Sequence, residues 1–159
     1  MTDILHLSTF LRRPMYDLDG GRIGRVQDLV ARLGDDAHPP IVGAVIKIEG
    51  RNTFVPIRKI GGLAEGRMTF QGKRVDLRRF ERRPGEILLA EDLLARNLIN
   101  LVRGRLIIAN EIEIAEMEGR WEVVGVDPGR RPLYRRLLGK SLGQRVKACL
   151  LYTSPSPRD

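Results

Sequence analysis

One stretch of this chain recurs, and that repetition constrains the fold more than any other feature. Residues 16–33, YDLDGGRIGRVQDLVARL, match a later stretch when shifted by 83 positions. Leu18 then falls on Leu101, Gly21 on Gly104, Arg22 on Arg105 and Ile23 on Leu106, while Gln27, Asp28 and Leu29 fall on Asn110, Glu111 and Ile112. A shift of 82 brings Val42 and Gly43 onto Val124 and Gly125. A repeat of this kind implies two copies of one small unit, each with its own strands and core.

Period-two patterning predicts that those copies are β-structure. Residues 15–16 read as a short strand and residues 17–21 as a turn where glycine supplies positive φ. Residues 22–33 read as a long strand with Leu29, Ala31, Leu33 and Ile23 in phase and Val26 out of phase. Gly24 within it predicts a bend or bulge that brings both faces into use; a helix is the rival reading for this stretch. Residues 41–49, IVGAVIKIE, are predicted to be a strand with Val42, Ala44, Ile46 and Ile48 on one face. Residues 50–52 turn it into a hairpin with residues 53–57, and residues 67–70 form a last short strand. The second copy is expected to run through residues 98–101, a turn at 102–104, a strand over 105–116, a turn at 117–120 and a strand over 121–126. On its strand over 105–116, Leu106, Ile108, Ile112 and Ile114 are expected inward. Nothing after Val126 matches the closing strands of the first copy, so an open sheet edge is expected there.

The predicted fold is therefore all-β: two small β-barrels, the second truncated, with a short linking helix and a short C-terminal helix. Residues 1–72 form the first barrel, residues 73–97 a basic connector ending in the linking helix, and residues 98–148 the incomplete second barrel. The linking helix is expected within residues 86–98, where acids precede Leu93 and Leu94, and the C-terminal one at residues 132–140. Residues 149–159, CLLYTSPSPRD, read as the translation of a sequencing-library adapter and are set aside as a non-native tail. With them goes the one cysteine, hence any thiol chemistry. That reading also expects the natural protein to continue beyond residue 148.

Charge supplies the candidate sites. Lys and Arg total 28 against 20 acids, a formal net charge of +8. The surplus gathers in the connector at Arg78, Arg79, Arg82 and Arg83, and near the end at Arg130, Arg131, Arg135, Arg136 and Lys140. Arg78, Arg79, Arg82, Arg83, Arg135 and Arg136 are the interaction candidates. Such clusters suit anionic lipid at a membrane or phosphates of RNA, and could serve as docking surfaces for partner domains. Solvated arginines paired with Glu81, Glu86 and Glu91 are the bland alternative. Glu111 and Glu113, with Glu116 and Glu118 following, could offer carboxylates to a hard cation, but a solvated strand face explains them without one. Asp35 and Asp36, together in a loop, are a weaker candidate of the same kind. His6 and His38 stand apart from any nucleophile motif, and no glycine spacing matches a phosphate-cradling loop. No catalytic residue, cofactor or metal site is expected.

The runs LRRPMYDLDGGRIGRVQDLV, IVGAVIKI and FVPIRKI are similar to the PRC-barrel, and DLRRFERRPGEILLAEDLLARNLIN with ANEIEIAEMEGRWEVVGVD resembles bacterial proteins that place two such barrels before a magnesium-transporter-type region. The likeness covers roughly residues 10–140. It implies a non-catalytic regulatory or scaffolding module, cytoplasmic or on the cytoplasmic face of a membrane protein. Its implied partners are MgtE-type helical and CBS domains downstream. PRC-like barrels also occur in a ribosome-maturation factor, which makes an RNA- or ribosome-associated module the alternative.

Overall fold

The computed structural model describes residues 3–100 and 104–128. The expected C-terminal helix, Arg135, Arg136 and the tail all lie outside these residues. The described residues are mostly strand, in the order β1 (Leu5–His6), β2 (Pro14–Tyr16), β3 (Arg22–Arg32), β4 (Ile41–Ile48), β5 (Arg51–Pro56), β6 (Ile60–Gly61), β7 (Met68–Phe70), β8 (Glu86–Leu88), β9 (Asn97–Asn100), β10 (Arg105–Ile108), β11 (Glu111–Met117) and β12 (Arg120–Asp127). Residues 22–32 are thus strand and not helix. The linking helix shrinks to five residues, a single π-type turn at Leu89–Leu93, because Glu86–Leu88 pair with β3 instead.

Strand order in the larger sheet is β5-β4-β3-β2-β7-β6, with β8 also on β3; β1-β11-β12 and β9-β10 form smaller sheets. No closed barrel forms among the described residues, where two were expected. Both hairpins turn on a Glu-Gly pair. Glu49 and Gly50 have φ of 49° and 80°, and Glu118 and Gly119 have 53° and 79°. Two positive φ values in a two-residue loop match the right-handed twist of the flanking strands. The first turn therefore sits at residues 49–50, one position earlier than expected, and Arg51 is already in β5.

The repeat survives as register. In the first unit Asp28 pairs with Val45, Leu29 with Ala44, Val30 with Gly43, and Ala31 with Ile41 across a bulge. In the second unit Glu111 pairs with Asp127, Ile112 with Val126, Glu113 with Gly125, and Ile114 with Val123 across a bulge. Every pair, and the bulge, obeys the same two shifts. The bulge explains why Val42 leaves the face expected for it: Ile41, Ala44, Ile46 and Ile48 join the main core, while Val42 packs beside Val45 on the other side.

The segments leading into each unit repeat as well, and they are exchanged. Leu5 and His6 of the first leader pair with Ile114 and Glu113 in the second unit. Ile87 and Leu88 of the second leader pair with Ala31 and Val30 in the first. Each leader then makes a helical turn: Leu11 N–H donates to Leu7 O at 3.3 Å, and Leu94 N–H to Leu89 O at 3.1 Å. The second spans one residue more, which is why it is a π-type turn. Both turns end in a residue at positive φ, Arg12 at 64° and Ala95 at 61°. Arg12 N–H donates to Val26 O at 2.8 Å and Ala95 N–H to Ala109 O at 2.6 Å, again one shift apart.

Pro40 bridges to Glu122, its own counterpart under the shift of 82. A residue facing its own equivalent marks a two-fold axis. The chain is therefore a pseudo-symmetric pair of units, each completed by the other's leader. Leu7 and Phe10 from one leader and Leu89 and Leu93 from the other are 0–1% exposed and belong to one core spanning both units. Burying each such side chain contributes about 1.5–3 kcal/mol.

Candidate functional site

The connector that joins the units does not hang free. After β7 it runs back across the outer face of the β4–β5 hairpin. Arg79 bridges to Thr53, and Phe80 N–H donates to Asn52 O at 2.6 Å. The Phe80 ring stacks on Phe54 with centroids 6.0 Å apart. Beneath these rings lie Val30, Val45 and Leu88, a second small core. The one aromatic residue within RRFERR is thus the anchor that holds the basic run on the sheet.

Anchoring Phe80 splits the four connector arginines between two sides. Arg78, Arg79 and Arg83 line a groove of about 900 Å³ together with Arg32, Arg58 and Lys59. Its apolar lining is Val42, Phe54, Pro56 and Phe80, and its acids are Asp76 and Glu81. Six cations therefore face two carboxylates. Asp76 is committed to Arg78, whose Nη2 lies 2.7 Å from Oδ2. Hydrogen bonds from that side chain and from the Arg78 backbone pull the Asp76 carboxyl down to about 2. Arg83 holds buried Glu86 at 3.2 Å and lies 5.4 Å from the Phe54 ring centroid, where the ring's negative face attracts a cation. Among the described residues, Arg32, Arg58 and Arg79 have no carboxylate within ion-pair distance.

Arg82 points the other way, to Asp92 at 2.8 Å and Glu91 at 3.6 Å. It borders a smaller cavity of about 630 Å³ reaching Asp28. The buried Asp28 carboxylate accepts N–H bonds from Leu29 at 2.8 Å, Ala90 at 2.7 Å and Glu91 at 3.0 Å. Desolvation outweighs these three bonds, with Asp92 adding like charge, and the carboxyl is pushed up to about 6. Glu111, its counterpart in the second unit, accepts from Ile112 N–H at 3.1 Å and from the Ser8 N–H and hydroxyl at 3.2 and 2.5 Å. Each acid thus caps the leader turn that arrives from the other unit.

The remaining candidates do not converge. Glu111 is engaged by Ser8, Glu113 is half-buried beside Gly125, and Glu116 and Glu118 are exposed. No group of three or more His, Cys, Asp or Glu among the described residues could hold a metal ion. His6 is exposed on β1. His38 sits 3.7 Å from Glu122 near the pseudo-axis, where Arg120 also pairs with Asp36 and Glu122. Leu106, expected inward, is 70% exposed. No helix of the described residues is long and apolar enough to cross a membrane.

Sequence reasoning missed Arg32, Arg58 and Lys59, which lie far along the chain from the connector. The available signal was Phe80 itself, an apolar residue inside a basic run, which requires a surface to bury it. Compared with known proteins, the chain matches no protein-family model and no curated protein.

Proposed function

We propose that this chain is a non-enzymatic docking and scaffolding module that works by packing against partner domains through the connector groove. The observation that carries this reading is the groove itself: six cations and two acids held around an apolar floor on a sheet face. Charge of this kind steers and orients a partner, while the apolar floor supplies burial. The likeness of the sequence to paired PRC-type barrels supports a place in a magnesium-transport-related protein, with the helical and CBS-type domains as partners. In this reading each unit is of PRC type. The cytoplasmic setting follows from the same resemblance.

The test is binding of this chain to separately expressed MgtE-type helical and CBS domains, measured by calorimetry. A stoichiometric complex lost on Arg79→Glu/Arg83→Glu supports the reading. No complex, together with submicromolar RNA binding that weakens steeply with salt, overturns it in favour of an RNA-associated module. The groove argues against that alternative, because the Phe54 ring is already engaged by Phe80 and Arg83 and is not open to a base.

A further inference from the structure

From the groove's composition we infer its ligand: an acidic peptide segment carrying one bulky apolar side chain, contributed by a partner protein. This rests on the docking reading above and narrows it to a chemistry. The cations come from three separate parts of the chain, Arg32 at the end of β3, Arg58 and Lys59 just after β5, and Arg79 and Arg83 in the connector. They gather where the two acids are outnumbered, and one of those acids, Asp76, is already taken by Arg78. Arg58 and Arg79 are exposed and form no ion pair among the described residues, so an incoming carboxylate displaces no existing pair there.

The floor distinguishes the ligand from other anions. Free phosphate would leave Val42 and Pro56 uncovered, and a bilayer is too flat to enter a concave groove. A single-stranded base would need an open ring to stack on, and Phe54 already has Phe80 against it and Arg83 over it. A peptide with Asp or Glu flanking a Leu or Phe satisfies both rim and floor: carboxylates reach the guanidinium groups, and the side chain packs on the apolar lining left open, Val42 and Pro56.

The test uses the whole chain and a fluorescein-labelled Glu/Ser peptide with one central Leu, read by anisotropy at physiological salt. Saturable binding is expected, weakened about tenfold or more by Arg58→Glu/Arg79→Glu. Exchanging the peptide's Leu for Ser should weaken it by about tenfold as well. Arg22→Glu/Arg105→Glu changes the net charge equally at exposed positions away from the groove, and should leave binding within about twofold. Circular dichroism establishes that each variant is folded. Equal loss from the distant reversal, or indifference to the Leu, would overturn the inference, as would an RNA oligomer that competes more tightly. Absence of peptide binding while the helical and CBS domains still bind sinks this inference alone. Peptide binding without a domain complex upholds it and sinks the assignment of partner.

Discussion

The two units share their inner faces and differ in their outer ones. Positions that meet across the pseudo-axis or receive a leader keep their apolar character: Leu29 becomes Ile112, Ala31 becomes Ile114, Ile41 becomes Val123 and Ala44 becomes Val126, all buried. On the opposite face Val30 and Val45 become Glu113 and Asp127. The valines lie under the connector's Phe80 in the first unit; the acids could not be covered by an apolar anchor without heavy desolvation cost. Duplication thus retained what the exchanged assembly requires and released the other face. The groove lies on the first unit, where Val30, Val45 and Leu88 give the basic strap an apolar surface on which to be fastened.

The largest expected effect tests whether the units are energetically one body. Leu7 and Leu89 occupy equivalent places, each buried in the leader of one unit and packed into the other. Leu7→Ala and Leu89→Ala should each cost about 2–5 kcal/mol in urea unfolding, within a single transition followed identically by Trp121 fluorescence and far-UV circular dichroism. Two separable transitions, one for each unit, would break the comparison.

The acids at the equivalent positions 28 and 111 sharpen it next. Burial pushes the Asp28 carboxyl up to about 6, above the ordinary carboxylate range, so the folded state binds a proton more tightly than the unfolded one. The Asp28 contribution to stability is therefore greatest below about pH 4, falls as pH rises to about 6 and is level above, about 3 kcal/mol across that window as an upper bound. In Asp28→Asn this slope should disappear from the pH dependence of the urea midpoint. Glu111→Gln leaves Asp28 in place, so the slope should persist; its loss there would refute the assignment.

The repeat was legible in the sequence because equivalent residues carry equivalent strand register, and the structure adds that the bulge at residues 30–31 recurs at residues 113–114. Exchange of the leaders was not legible. Alignment says which residues correspond, but the same contacts can be made within a unit or between units, and only tertiary packing decides. The expected linking helix failed for a related reason: Glu86–Leu88 have a strand edge waiting on β3, which outcompetes a short helix with little intrinsic stability. Leu106 was assigned inward by continuing one alternation from Leu106 to Ile114. The second unit breaks that strand at Asn110, counterpart of the bulged Gln27, and the phase is lost there. The connector arginines were legible as a cluster, but their division between two sides depends on where Phe80 is buried.

A smaller effect is expected at Gly24, which marks where β3 curls over β4. A Cβ at this position would lie 2.6 Å from Lys47 O and 2.8 Å from Ile46 Cγ2, so the two strands must separate to admit it. Its counterpart is Ile107, a full side chain, on a strand that pairs only with β9. Gly24→Ala should cost about 1–3 kcal/mol, whereas Ile107→Val, at a half-buried position packed against the core, should cost about 0.5–1 kcal/mol. Thermal unfolding of the two variants side by side measures the difference. Equal costs would mean that the curl is not peculiar to the first unit.

The smallest contrast lies within the connector, between arginines that look alike in sequence. Arg83 reaches Glu86, whose side chain is only 4% exposed, and also donates its backbone N–H to the same carboxylate at 3.0 Å. Arg83→Ala leaves that buried carboxylate with one donor fewer and removes the cation from Phe54, a loss of about 1–2 kcal/mol by the usual cost of an unsatisfied buried acceptor. Arg78 pairs with Asp76 in open solvent, where the ion pair is screened and free to exchange with water. Arg78→Ala should leave the urea midpoint unchanged. A midpoint that moves as far for Arg78→Ala as for Arg83→Ala would show that the strap is held by its charge as a whole, and not by the aromatic anchor and the one buried acid beside it.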